Sequence, residues 1–270
     1  MRGQIGLEPS LDLYLEKLCA VFDEVGRVLK PSGTCWVNLG DTYAGDSPVR
    51  SRSSEQFTDA SRSPFRQMAS GIGLKKKSLA LIPARFSIEM CQRGWMLRNE
   101  IIWYKPNCMP SSAHDRFTVD FEKVLFFVKE RRYYFKQQFE LLVDKPRLLR
   151  PLINPQSKRK RIYGDPYISA INPQSAEASR QRILSRGRNK RCVWRIPTKP
   201  YPGKHYAVFP QTLIETPIEA GCPEGGVVLD PFMGSGTTAL AARRLKRHYI
   251  GIELNPRYVR LAEMRLAQAA

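Results

Sequence analysis

One segment constrains the fold more than any other: Val227-Val-Leu-Asp-Pro-Phe-Met-Gly-Ser-Gly-Thr-Thr238. The apolar run before Asp230 reads as a strand, residues 236–245 as a helix, and residues 248–253 as a second strand. That order is a βαβ unit, so the expected class is α/β. The glycines allow the backbone to approach a ligand closely, and the free N–H groups that open the helix face it. Glu253 ends the second strand, 23 residues after Asp230. A carboxylate at that distance is placed to accept hydrogen bonds from ribose hydroxyls. The unit therefore reads as a nucleoside site. It lacks both Gly-x-x-x-x-Gly-Lys-Ser/Thr and Gly-x-Gly-x-x-Gly. A small loop with one aromatic, Phe232, suits a cofactor without phosphates.

The remaining pattern is also alternating. Leu11, Leu15, Leu18, Phe22, Val25 and Leu29 recur at steps of four and three, which predicts a helix over residues 10–29. A strand is expected over 34–39, with Asp41 at its C-terminal end, the edge where open α/β sheets bind ligands. Residues 44–78 are rich in Ser, Arg and Gly and read as a long loop. A helix over 79–93 and strands over 96–103 and 121–128 follow, and residues 133–135 are expected to pair back. Helices over 210–220 and 256–268 complete the pattern. Trp36, Trp95 and Trp103 are taken as core rather than base-stacking platforms. The expected partition is residues 1–135 and 193–270 as two parts of one domain, with 136–192 inserted.

Charge points to the partner. Lys and Arg number 44 against 25 acids, a net of +19 in 270 residues. Between positions 145 and 195 stand 14 Lys and Arg but only two acids, Asp165 and Glu177. Such concentration favours a surface for a polyanion, nucleic acid before membrane. No apolar run approaches the roughly 18–20 residues of a membrane span. Residues 1–9 have no apolar signal core, so a cytoplasmic protein with no membrane partner is expected. Six cysteines without a Cys-x-x-Cys pair, and three histidines, argue against a metal site.

Asp230-Pro-Phe-Met-Gly-Ser-Gly-Thr-Thr238 and Ile250-Gly-Ile-Glu-Leu-Asn-Pro256 resemble the cofactor motifs of the amino-methylating DNA methyltransferases, the N4-cytosine/N6-adenine group. Further matches are Gly3-Gln-Ile-Gly-Leu-Glu8, Asn38-Leu-Gly-Asp-Thr-Tyr43, Gly94-Trp-Met-Leu-Arg98, Ile101-Ile-Trp-Tyr-Lys-Pro-Asn107 and His205-Tyr-Ala-Val-Phe-Pro-Gln211. Their order resembles the circularly permuted arrangement, and the likeness spans almost the whole chain. It implies a Rossmann-like S-adenosylmethionine-dependent methyltransferase fold with an inserted target-recognition module. Phe232, Gly234, Ser235, Gly236 and Thr237 would wrap the methionine and sugar of S-adenosylmethionine. Glu253 would hold the ribose, and Asp230, Asp41 and residues 205–209 would line the pocket. Asp230 has a second reading, as a cap on its own turn. Double-stranded DNA is the expected partner, and a homodimer is left open. Lys158, Arg159, Lys160, Arg161, Arg186, Arg188, Lys190 and Arg191 would meet its phosphates. Asn154, Gln156, Asn172 and Gln174 could reach base edges, although solvated loop polars are the simpler reading.

In the resembling family an Asp/Asn/Ser-Pro-Pro-aromatic segment accepts the amino hydrogens and stacks on the flipped base. The chain contains no Pro-Pro, and Asp165-Pro-Tyr167 is its nearest imitation. Catalytic residues are therefore unassigned. The expectation is that the tetrapeptide strand belongs ahead of Gly3, and that these 270 residues alone transfer little methyl. Cytosine N4 is favoured slightly over adenine N6. The alternatives are a non-catalytic binding remnant, an RNA methyltransferase and, more distantly, a nicotinamide oxidoreductase.

Overall fold

The three- and four-residue steps put Leu11, Leu15, Leu18 and Phe22 on one buried face of helix α1, Leu11–Val28. Ser10 caps it, its Oγ accepting from the Leu13 N–H at 3.3 Å. At the other end Lys129 Nζ donates to the carbonyls of Gly26 (2.5 Å) and Leu29 (2.9 Å), a cation where the helix dipole is negative. The computed structural model describes residues 4–45, 74–141, 185–198 and 209–269. Two units divide the chain, residues 1–136 with 192–270, and residues 137–191.

In the first unit β1 (Thr34–Leu39), β2 (Met96–Tyr104), β3 (Phe121–Val128) and β6 (Val193–Arg195) form a sheet in the order β1-β3-β2-β6. β3 runs antiparallel to both neighbours, and β2 pairs β6 in parallel. β3 alternates between two buried faces. Leu125 and Phe127 pack with α1 and α2 (Ile82–Gln92), while Val124, Phe126 and Val128 pack with Ile101, Trp103, Trp194 and Leu213. Leu213 lies on α3, Gln211–Gly221. Trp95 and Trp103 are buried and Trp36 stacks on Phe126 with ring centroids 4.0 Å apart, so all three serve the core.

A separate parallel pair, β7 (Val227–Asp230) and β8 (His248–Gly251), is bridged by α4 (Thr237–Arg244) and followed by α5 (Pro256–Gln268). β1 is an edge strand among the described residues. The starts of β1, β7 and β8 are tied together. Thr34 Oγ1 donates to the Gly221 carbonyl at 3.1 Å, and Arg247 donates to the Cys222 carbonyl through Nε (3.1 Å) and a terminal nitrogen (2.8 Å). β7 and β8 run parallel, so their C-terminal ends, Asp230 and Gly251, lie side by side.

In the second unit β4 (Phe139–Glu140) pairs β5 (Arg188–Asn189). Residues 133–135 form no ladder, contrary to expectation. The Tyr134 N–H donates instead to Ser32 O, and the Tyr133 and Phe135 rings pack on Phe126 at 5.9 and 5.7 Å. Ring packing on Phe126 takes the place of strand pairing there. β6 has no counterpart among the expected strands, since three residues carry too little pattern. Residues 46–73 of the long loop lie outside the described residues.

Gly221 is a point of close approach. A Cβ there would stand 2.1 Å from Thr34 Oγ1 and 2.6 Å from Trp36 Nε1. Gly221→Ala is expected to destabilise the first unit by about 1–3 kcal/mol, the usual cost of overpacking. Urea denaturation measures it, and an unchanged midpoint would mean that α3 moves away from β1 at no cost.

Candidate functional site

The glycine loop sits where β7 ends, and its conformation explains its composition. Gly234 and Gly236 have φ of 53° and 82°, a region that side chains with a Cβ seldom adopt. At Gly236 a Cβ would also stand 2.8 Å from the Ala262 Cβ. Gly236 caps α4 without a side-chain hydrogen bond. No side chain therefore caps the first-turn N–H groups of α4, the kind of helix start that binds ligands in nucleoside sites.

Glu253 binds the loop directly. Its Oε2 accepts from the Gly234 N–H at 2.9 Å and its Oε1 accepts from the Asn255 N–H at 2.8 Å. The residue that spacing put on a ribose also sets the height of the glycine turn. Each oxygen keeps a second lone pair for a ligand hydroxyl.

Asp230 takes the capping role. Its Oδ1 accepts from the Phe232 N–H at 2.9 Å and its Oδ2 from the Thr238 hydroxyl. Burial pushes its carboxyl above the usual Asp value, and the nearby Glu253 charge adds to this, against the two hydrogen bonds. A carboxyl raised on folding stabilises the fold while protonated. That contribution disappears as pH climbs from the unfolded value through the folded one. Asp230→Asn should therefore gain stability relative to wild type as pH rises above about 4. Melting temperatures of both chains across that range test this, and a pH-independent difference would refute it.

Ser235 and Thr237 are 3% and 6% exposed. Arg265 on α5 reaches both, donating to Ser235 O (2.6 Å), Ser235 Oγ (2.9 Å) and Thr237 Oγ1 (3.3 Å). Arg265 thus clamps the loop from α5, taking the Ser235 carbonyl as well as both hydroxyls. Nothing local in the sequence marks Arg265, which acts from 28 and 30 residues away. Phe232 is 48% exposed, its ring 6.4 Å from that of Phe22 on α1. Asp41 lies at the end of β1, where its Oδ1 accepts from the N–H groups of Thr42 (2.9 Å) and Ile82 (3.1 Å). It caps α2, whose own cap residue Leu81 offers no side-chain bond. Glu8 is buried and accepts from the Gly6 N–H at 2.7 Å. Burial alone would raise its carboxyl, but that bond and Lys17 hold it below the usual value.

In the second unit the expected phosphate-binding side chains are partly engaged already. Arg188 and Arg191 each donate through Nε to Glu140 Oε1, at 2.6 and 2.7 Å. Against burial, these guanidiniums hold the Glu140 carboxyl below its ordinary value. The Lys190 N–H donates to Gln138 O, and Arg186 is exposed. Lys158, Arg159, Lys160 and Arg161, Asp165-Pro-Tyr167, residues 205–208 and the four Asn and Gln candidates lie outside the described residues. No group of three or more His, Cys, Asp or Glu side chains suited to a metal occurs among the described residues.

Comparison with known proteins matches residues 2–264 to the N6/N4 family model described as DNA methylase. The type II methyltransferase M.SmaI of Serratia marcescens is 35% identical over 98% of this chain and 77% of its own length. M.Cfr9I of Citrobacter freundii is 37% identical over 97% of this chain and 74% of its own. Among solved structures, the PvuII DNA methyltransferase, described as cytosine-N4-specific, covers 93% of this chain and 70% of its own at TM-score 0.58 and 19% identity. A DNA modification methylase of Thermus thermophilus, solved with S-adenosyl-L-methionine, covers 96% of this chain and 78% of its own at TM-score 0.54 and 23% identity. These structures share the Rossmann-like methyltransferase fold. The chain belongs to the amino-methylating N6/N4 DNA methylase family.

Proposed function

We propose that the chain transfers the methyl group of S-adenosylmethionine to an exocyclic amino nitrogen in duplex DNA, N4 of cytosine ahead of N6 of adenine. The observation that supports this most is Glu253 bonded to the Gly234 N–H between parallel strands β7 and β8. That strap holds a glycine turn beside a helix start that no side chain caps, and the Phe232 ring of the same loop is exposed, an arrangement that suits a nucleoside cofactor. The similar type II methyltransferases support a role in a restriction–modification system or as a stand-alone modification enzyme.

The cofactor supplies an electrophilic methyl on a sulfonium. The protein's contribution is placement. An amino lone pair delocalised into the base ring is a poor nucleophile, so alignment and acceptors for its hydrogens supply the rate. Glu253 and the backbone of residues 234–237 would hold the ribose and methionine, with Phe232 beside them. Asp230 and Asp41 support this pocket by fixing the turn and the start of α2. The target base must leave its stack to arrive there. Residues 137–191 would follow the phosphates and carry target recognition, with Arg186 and Lys190 reaching them beside the Glu140-paired Arg188 and Arg191. No described helix is long and apolar enough to cross a membrane. A homodimer is compatible with this reading, and sedimentation tests it.

The test reads the base. DNA from cells expressing the gene in its genomic frame is hydrolysed to nucleosides and compared with DNA from cells lacking it. N4-methyldeoxycytidine is expected. N6-methyldeoxyadenosine would overturn the choice of base, and a purified chain that fails to bind S-adenosylmethionine in calorimetry would overturn the cofactor site.

A further inference from the structure

The loop between β2 and β3, residues 105–120, is held on three sides yet leaves its largest apolar groups in solvent. Asn107 exchanges hydrogen bonds with Thr198, its Nδ2 donating to Thr198 O at 2.9 Å and its Oδ1 accepting from the Thr198 N–H at 2.8 Å. The Arg116 guanidinium lies 3.8 Å from the centre of the Tyr43 ring. Asp115 pairs with Lys77 at 2.6 Å. Lys77 adopts φ of 70°, a costly conformation for a residue with a side chain, and the run Lys75-Lys76-Lys77 is exposed beside the loop. Against these anchors Phe117 is 96% exposed and Met109 is 88% exposed.

Place in the fold gives this exposure meaning. The loop leaves the C-terminal end of β2, which runs the same way as β1 because both are antiparallel to β3. It therefore stands at the sheet edge that carries Asp41. The Arg116–Tyr43 stack joins it to the segment that follows Asp41. An anchored loop with bare aromatic and thioether tips, beside exposed cations, matches the chemistry of apolar wedges that enter a duplex between base steps. Lysines meet phosphates while the ring replaces lost base stacking.

We propose that Phe117, seconded by Met109, inserts into duplex DNA beside the methylated position and fills the stack that the target base leaves. This rests on the DNA methyltransferase reading above. The occupant is duplex DNA rather than a second protein because the neighbouring exposed charge is cationic and the whole chain carries +19.

The test places a reporter at the tip. Trp95, Trp103 and Trp194 are buried, so tryptophan introduced by Phe117→Trp should add a solvent-exposed emission. Mixed-sequence duplex DNA at low salt should quench that emission and shift it to the blue, as stacking requires. Phe117→Ser should weaken duplex binding by about tenfold, within the range for losing one base–aromatic stack. Affinity for S-adenosylmethionine should stay within about twofold of wild type, since Phe117 touches none of the cofactor-site residues. Tight duplex binding without quenching, or with unchanged affinity in Phe117→Ser, would overturn the wedge and leave the DNA reading intact. Wild type that fails to bind duplex at low salt would overturn both. A self-associated chain that Phe117→Ser makes monomeric would reassign the patch to an interface between copies and overturn the wedge.

Discussion

Glu253→Ala is expected to weaken S-adenosylmethionine binding by about 5- to 150-fold, equivalent to roughly 1–3 kcal/mol. Two losses combine. The ribose would lose its acceptor, and the Gly234 and Asn255 N–H groups would lose theirs. The second loss makes Glu253→Gln a poor substitute. Both carboxylate oxygens accept from an N–H, so one end of an amide must turn its NH2 toward a donor. Glutamine should therefore bind the cofactor nearly as weakly as alanine. Calorimetry with S-adenosylmethionine measures each variant, and melting of the ligand-free chains separates the two losses. A weaker affinity with unchanged melting would point to a direct ribose bond, while a matching fall in both would point to the loop strap. Equal affinity in wild type and Glu253→Ala would refute the assignment.

The parts of the molecule legible in the sequence are those whose cause is local. The α1 steps, the Ser10 cap, the alternating apolar run of β3 and the strand–glycine–helix signal after Val227 all declare themselves within a few residues. The place of Glu253 just beyond β8 is legible because fold geometry fixes its distance from Asp230. What the sequence hides depends on partners far along the chain. Arg265 acts on Ser235 and Thr237 across a helix packing that no motif records. Tyr133 and Phe135 look like strand residues, and only the nearby Phe126 ring turns them into packing groups. Asp230 carries both of its readings in sequence, as ligand and as turn cap, and its bonds to Phe232 and Thr238 supply the second. Arg188 and Arg191 illustrate the limit for charge. A count of basic residues cannot see Glu140, which lies 48 and 51 positions upstream and neutralises part of both.

That ion-pair cluster shapes the other large effect, the response of DNA binding to salt. If about five phosphates are neutralised, log K should fall with log salt at a slope near −4 to −5. Raising salt fourfold would then weaken binding by about 250- to 1,000-fold. Replacing Lys158, Arg159, Lys160 and Arg161 with alanine should flatten the slope by up to about 3.6, at roughly 0.9 for each phosphate left unneutralised. Glu140→Gln should act in the opposite direction. Arg188 and Arg191 share a single carboxylate oxygen, and removing its charge weakens its hold on both guanidiniums and favours their pairing with phosphates. The slope should steepen by about 1–2, with tighter binding at low salt. Fluorescence anisotropy on mixed-sequence duplex across a salt series gives all three slopes. An affinity that ignores salt, or a quadruple variant with the wild-type slope, would remove the basic segment from the interface. Weaker binding in Glu140→Gln would show instead that the carboxylate holds the two arginines in the geometry DNA needs, so that neutralising it costs position before it frees charge.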